Sequence, residues 1–326
     1  MPEPRHFADR LCDAIQRTGA PVVVGLDPRL EQLPAPLLEA CRRQYGLTTR
    51  AAAEALWQFN RAIIDAVAGL VPAVKPQLAF YEQYGVEGMR SYASTVRYAR
   101  RAGLLVIADA KRNDIGSTAE AYAEAFLGKS AADEDDGQNA FAADALTVNA
   151  YLGSDGVRPF IARARQHGKG LFVLVKTSNT SAGELQDLLI DGRPLYEHLG
   201  ALVETWGAGS RGTHGYAAVG AVVGATYPGQ AARLRTLMPH TLFLVPGYGA
   251  QGATAADVVG CFDARGLGAL INAARSILFA YRTAAYKARY GPETYAAAAR
   301  EATQRMIEDI RQALRRRDEV DGKHMV

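Results

Sequence analysis

Cysteine is scarce in this sequence: Cys12, Cys41 and Cys261 are the only three among 326 residues. They are odd in number, far apart and without a CxxC pair, which excludes a disulfide framework and points to a reducing compartment. Histidine is sparse too. His6, His167, His198, His214, His240 and His324 form no i,i+4 pair, show no zinc-like spacing and close no candidate strand, so each reads as a surface or helix residue. No G-x-S-x-G elbow is present. Charge of one sign is also lacking, with 37 Lys and Arg against 34 Asp and Glu. Nucleic-acid binding needs a basic stripe or face, and the one dense basic run, Arg315 to Arg317, reads as a solvated helix end favoured by the helix dipole. No stretch approaches the ~18 apolar residues of a membrane span, and the N-terminal segment MPEPRHFADRLCDAIQRTG has no apolar h-region. A cytoplasmic protein with neither membrane nor nucleic-acid partner is expected.

Core-forming residues are plentiful: 48% of the chain is hydrophobic and 22% charged. Short runs rich in Val, Ile and Leu recur at residues 21–27 (PVVVGLD), 73–80 (AVKPQLAF), 104–111 (LLVIADAK) and 145–152 (ALTVNAYL). They continue at 171–178 (LFVLVKTS), 220–226 (GAVVGAT), 242–247 (LFLVPG) and 268–273 (GALINA). Such near-continuous apolar strands imply burial on both faces, hence a parallel sheet covered by helices. Amphipathic stretches such as 50–70, 82–102 and 193–206 supply those helices. Eight β–α units most naturally close into a (β/α)8 barrel, a fold of ~250 residues or more. A single barrel domain with an N-terminal helix is expected over residues 1–318, followed by a disordered tail at 319–326. Two segments break the rhythm: a polar, acidic surface excursion at 129–139 (KSAADEDDGQN), and a Gly-rich loop at 206–216 entering the sixth strand.

An open doubly wound sheet is the alternative. Its support is the G-x-G-x-x-G of Gly247, Gly249 and Gly252, but that motif follows the seventh strand instead of opening the chain. Dinucleotide folds carry it in the first βα turn with an acid ~20 residues on. Here Asp263 comes eleven residues later and does not clearly end a strand, so the dinucleotide reading is rejected.

Catalytic groups of a barrel gather at the C-terminal ends of its strands. Strand one ends in Asp27, strand two carries Lys75, and strand three ends in Asp109-Ala-Lys111-Arg-Asn-Asp114. Asp109 and Lys111, two apart on a strand, share the inward face. A single buried pair there is as easily structural as functional; Lys75 on the neighbouring strand shifts the balance towards a functional site. The glycines at 247, 249 and 252 and Arg275 past strand eight suit the usual phosphate seat of the fold. Each loop alone would read as ordinary turn glycines or a surface arginine; together they point to a phosphorylated substrate. Asp109 and Asp114 suit a hard cation such as Mg²⁺. Lys75 and Lys111 beside them disfavour it, each repulsion costing about 4 kcal/mol at ~4 Å and an effective dielectric of ~20. No metal is expected.

The ordered set of these residues resembles the orotidine 5′-monophosphate decarboxylase family, in the larger bacterial branch suggested by the long insertions. The family's D-x-K-x-x-D is present as Asp109, Lys111 and Asp114, continuing through Ile115 to Thr118. Asp27, Lys75, Ser178 in TSNTSAGE, Pro246 to Gln251 in PGYGAQ, and Arg275 follow in the family's order, covering about residues 21–282. The D-x-K-x-x-D core alone is shared with sibling phosphosugar enzymes; the full set is much more specific. The resemblance implies cofactor-free loss of CO2 from orotidine 5′-monophosphate (OMP), giving UMP in pyrimidine biosynthesis. Lys111 would stabilise the C6 carbanion and donate its proton, held by Asp109 and Lys75. Asp114, Ile115 and Thr118 would reach across a homodimer interface into the neighbouring site. Asp27 would bind ribose hydroxyls, and Pro246, Gln251 and Arg275 would contact substrate, the last two at the phosphate. Ser178 would meet the pyrimidine, with Thr177 and Asn179 as alternatives. A Mg²⁺-dependent enzyme acting on a sugar phosphate and a non-catalytic nucleotide-binding barrel are the competing readings. An intact tetrad speaks against the latter, and Lys75 and Ser178 in their places against the former.

Overall fold

A computed structural model describes residues 5–128 and 141–323. Eight strands pair in parallel and close into a barrel: β1 (Val22–Leu26), β2 (Ala73–Pro76), β3 (Leu105–Arg112), β4 (Ala145–Val148), β5 (Gly170–Lys176), β6 (Val219–Val223), β7 (Phe243–Pro246) and β8 (Ala269–Ala273). β8 closes on β1 with Val22 opposite Ile271. Each of the eight apolar runs of the sequence holds one strand, and the expected single-domain barrel is the observed one.

Alternation along the strands divides the core in two. Val23, Ala73, Ile107, Ala145, Phe172, Leu244 and Leu270 face inward and fill the barrel. Their neighbours Val22, Val24, Val74, Val106, Leu146 and Val173 face outward and pack against the helices. The helix Phe7–Thr18 plugs the lower mouth, its Phe7 ring meeting Phe172 edge-on at 6.0 Å between centroids. Gly170 admits that plug, since a Cβ there would lie 2.1 Å from the Phe7 ring.

At the same lower rim Asp144, just before β4, is buried. Its Oδ1 accepts from Arg10 at 2.8 Å and lies 3.8 Å from the Lys169 ammonium, while Oδ2 accepts from the Val106 N–H at 3.0 Å. One carboxylate thereby joins the plug helix to β3 and to the turn before β5.

Local structure departs from expectation in a short hairpin and in the last helix, while the Gly-rich loop stands where it was expected. A two-stranded hairpin pairs Leu189–Ile190 with Arg193–Pro194 after β5; two-residue strands are too short to leave a period in sequence. The helix Leu195–Gly207 runs to the start of the Gly-rich segment, which then forms the loop into β6. The last helix, Tyr295–Lys323, continues through the boundary expected at 318. Arg317 anchors it there by donating to the Asp263 carbonyl at 3.0 Å. The expected tail at 319–326 is therefore helical as far as Lys323, and 324–326 lie outside the described residues, as does the acidic excursion at 129–139. Among the described residues no helix is long and apolar enough to cross a membrane.

Candidate active site

Parallel pairing sets Ala73 of β2 opposite Leu105 of β3, with Gln77 bridging to Asp109 further up. The inward face of β2 thus presents Lys75 and Gln77 beside the inward face of β3. Asp109 is buried and takes four donors. Lys75 Nζ reaches Oδ2 at 2.7 Å and Gln77 Nε2 reaches it at 3.0 Å. Lys111 Nζ reaches Oδ1 at 2.6 Å and the Thr147 hydroxyl reaches it at 3.0 Å. Burial opposes ionisation of Asp109, yet the two ammonium groups and their hydrogen bonds outweigh it and hold the carboxyl below the usual carboxylate range. Burial likewise disfavours the charged form of Lys75, but Asp109 and then Asp27 overcome it and raise its pKa.

β3 is irregular at its end. Lys111 has φ of +48°, in the left-handed region, and the register with β4 shifts between Ala108 and Arg112. A non-glycine residue held there costs of order 1–3 kcal/mol. The conformation is pinned from both ends: the Lys111 N–H donates to Thr147 Oγ1 at 3.0 Å and its ammonium is tied to Asp109. Lys111 therefore joins Asp109 as simple alternation predicts, although the strand is distorted at that point. Its side chain is 46% exposed, against 4% for Lys75 and 10% for Asp109. Of the three charges, Lys111 is by far the most exposed to the space above it.

That space is a cavity of about 370 Å³ lined by Lys75, Asp109, Lys111 and Thr147 on one side and by Leu174, Val222, Leu244 and Pro246 on another. A charged wall facing an apolar one suits a flat ring with a reactive, polar edge. Thr177, Ser178 and Asn179 complete the lining. Thr177 is spent on local structure: its N–H and hydroxyl bond Gln186, and the hydroxyl donates to Asn179 Oδ1 at 2.6 Å. No such tie engages the Ser178 hydroxyl among the described residues. Lys176, fully buried, anchors this loop through Asp187 Oδ1 at 2.7 Å.

The loops after β7 and β8 meet. Gly247, Gly249 and Gly252 have φ of 113°, 70° and 93°, conformations that L side chains rarely adopt. Arg275 is exposed and donates to the Ala250 carbonyl at 3.4 Å, beside exposed Gln251. A guanidinium and an amide thus share one rim of the barrel, a combination able to hold a phosphate. At the end of β1, Asp27 is partly buried and burial raises its pKa, with Asp109 adding to the shift and Lys75 opposing it.

Asp114, Ile115 and Thr118 are not brought into this cluster. Asp114 Oδ1 accepts from the Ile115 N–H at 2.8 Å, and Ile115 and Thr118 are exposed on the turn and helix that follow β3. Sequence reasoning missed Gln77 and Thr147. Both stand on the inward face of their strands in step with Lys75 and with the barrel-filling Ala145, and extending that alternation would have found them. Among the described residues no three His, Cys, Asp or Glu side chains converge as a metal site would require.

The model of the Orotidine 5'-phosphate decarboxylase / HUMPS family matches residues 20–289. A protein of Rhodopirellula baltica named orotidine 5'-phosphate decarboxylase is 48% identical over 305 residues, covering 94% of this chain and 99% of that one. One of the same name from Caldicellulosiruptor bescii is 38% identical over 277 residues, covering 85% and 90%. Among solved structures, a Streptomyces avermitilis chain superposes with a TM-score of 0.74 at 36% identity, covering 96% of this chain and 97% of its own. The Leishmania donovani OMP decarboxylase superposes with a TM-score of 0.70 at 31% identity, covering 95% and 98%.

Proposed function

Since the chain belongs to the Orotidine 5'-phosphate decarboxylase / HUMPS family, we propose that it converts OMP to UMP and CO2 with Lys111 as the proton donor and no cofactor. The observation that carries this reading is the ammonium of Lys111, half exposed to the cavity and bonded at 2.6 Å to a buried carboxylate that two lysines hold ionised. The C6–carboxylate bond breaks heterolytically, CO2 leaves, and the electron pair stays on C6 in the plane of the ring. Lys111 Nζ–H gives its proton to that pair and is reprotonated from water. A cation fixed in advance where negative charge develops stabilises the transition state more than the ground state. Asp109 and Lys75 keep Lys111 in register, and Asp109, next to the departing carboxylate, disfavours the ground state.

Substrate contacts follow from placement. Ser178, whose hydroxyl is uncommitted among the described residues, meets the pyrimidine in preference to Thr177 and Asn179. Pro246 closes the apolar wall, Gln251 and Arg275 hold the phosphate, and Asp27 takes ribose hydroxyls. The protein acts as a homodimer in which Asp114, Ile115 and Thr118 serve the neighbouring site. Their separation from their own cluster supports this, as do exposed apolar side chains: Ile115 (53%) and Tyr122 on the turn and helix that carry them, and Tyr151 (78%) and Leu152 in the turn after β4. Three buried free cysteines fit a reducing cytoplasm.

An ultraviolet assay with OMP, run with and without EDTA, tests the reading. Turnover to UMP at the same rate in both is expected. Failure to consume OMP, or chelator-sensitive turnover of a sugar phosphate instead, would overturn it in favour of the phosphosugar branch.

A further inference from the structure

On the loop after β5 the residues on either side of Ser178 are tied down, and so is its backbone. The chain leaves β5 at Lys176 and comes back over Thr177 on the short helix Gly183–Gln186. There Gln186 closes on Thr177 with both ends of its amide. A backbone N–H can only donate, so the amide atom 2.9 Å from the Thr177 nitrogen is Oε1. The other end, Nε2, then donates to the Thr177 hydroxyl oxygen at 2.7 Å, and that hydroxyl turns its own proton to Asn179 Oδ1 at 2.6 Å. The donors run in one sense only, and they fix the residues before and after Ser178. Packing holds the backbone between them. A Cβ added to Gly224, just past β6, would lie 2.9 Å from both N and Cα of Ser178, and Thr226 donates to the Ser178 carbonyl at 3.4 Å. Gln186 is itself held through its neighbour: Asp187 Oδ1 accepts from fully buried Lys176 at 2.7 Å and from Gln230 at 3.2 Å. The Lys176 ammonium also lies 4.5 Å from the centre of the Tyr227 ring.

We propose that Gln186 is a positioning residue for recognition of the base: it acts through Ser178, by fixing Thr177 and Asn179, and touches no substrate itself. Thr177, Ser178 and Asn179 line the cavity and Gln186 does not. A hydroxyl on an unfastened loop has to be ordered at every binding event, and a loop held beforehand spares that cost. The amide is suited to the task because it accepts and donates at once. A carboxylate at position 186 would keep the bond from the Thr177 N–H, but its second oxygen would draw the Thr177 proton away from Asn179. This assignment rests on the reading that places Ser178 against the pyrimidine, and it adds to that reading a residue outside the cavity on which the contact depends.

The test is a double-mutant cycle read by binding. UMP and ribose 5-phosphate, which keeps the sugar and phosphate but lacks the base, are titrated against wild type, Gln186→Ala, Ser178→Ala and the double variant. Gln186→Ala is expected to weaken UMP roughly five- to thirtyfold, the scale of two lost hydrogen bonds, and to leave ribose 5-phosphate unchanged. In the Ser178→Ala background the same substitution should weaken UMP less than about twofold, because the group it positions is gone. Equal weakening of both ligands would make Gln186 a general support of the site, and additive losses in the double variant would show that it does not act through Ser178; either result overturns the proposal. Should Gln186→Ala fail to fold, Gln186→Glu takes its place in the cycle: a loss in UMP affinity that vanishes beside Ser178→Ala supports the proposal, and an unchanged affinity overturns it. Ser178→Ala binding UMP as wild type does would instead overturn the assignment of Ser178, and a wild-type protein that neither turns over OMP nor binds UMP the functional reading itself.

Discussion

Two buried aspartates, one at each end of the barrel, look alike in outline and differ in what surrounds them. Asp144 at the lower rim and Asp109 near the upper mouth each sit between two cations, and in each the cations outweigh burial to keep the carboxyl ionised. At the bottom all partners are framework: Arg10 of the plug helix, Lys169, and the Val106 N–H. At the top one cation, Lys111, is half exposed to a cavity and held in a left-handed backbone conformation. A buried ion pair is thus no sign of chemistry in itself. Access to a cavity and a strained, reachable partner set the upper pair apart from the lower one, in keeping with the general stability role of the lower face of this fold.

The sharpest way to break the comparison is to remove one cation at the top. Lys111→Ala is expected to lower kcat/KM for OMP by at least about 10³-fold, the scale of a lost proton donor and charge stabiliser together. Asp109 keeps Lys75, Gln77 and Thr147, so the melting temperature should fall little. A variant retaining a tenth of wild-type activity would remove Lys111 from its role.

At the bottom the pattern should invert. Asp144→Asn leaves Arg10 and Lys169 without their buried counter-charge and should cost about 3–5 kcal/mol of stability by denaturant unfolding. The kcat of the protein that remains folded should stay at the wild-type value. The pH dependence carries the same signature. A carboxylate whose folded pKa is depressed contributes stability above its unfolded value near 3.8, and that stability is lost as pH falls below it. Wild-type stability should therefore decline steeply from about pH 4 downward, and Asp144→Asn should flatten that decline. An unchanged acid slope would show that Asp144 carries no such linkage.

The smallest effect probes how the top pair is held. Thr147→Val removes a donor to Asp109 and the acceptor for the Lys111 N–H while keeping the shape of the side chain. A roughly ten- to hundredfold loss in kcat with little change in KM is expected, since a misplaced reactive group costs on that scale. Restoration by Thr147→Ser would identify the hydroxyl as the positioning element; a change in KM alone would place Thr147 against the substrate instead.

The barrel was legible before any coordinates because each strand is apolar on both faces, a pattern that a parallel sheet covered by helices requires. Asp109, Lys111 and Lys75 were legible for a related reason: charged residues on an inward face cannot be solvated there and must find one another. Gln77 and Thr147 were not, because Gln and Thr occur freely on loops and surfaces. Their meaning depends on which neighbour lies across the strand pair. The hairpin after β5 and the length of the last helix escaped for want of a local signal.

Chain order and residue pattern were sufficient for the eight-stranded architecture and the inward placement of the charged cluster, since both follow from period-two alternation and from burial. Folding alone decided which oxygen each lysine takes and that Thr147 pins the bent end of β3. Those facts arise from strands far apart in sequence and in direct register in space. Local propensity carries no information about such cross-strand distances.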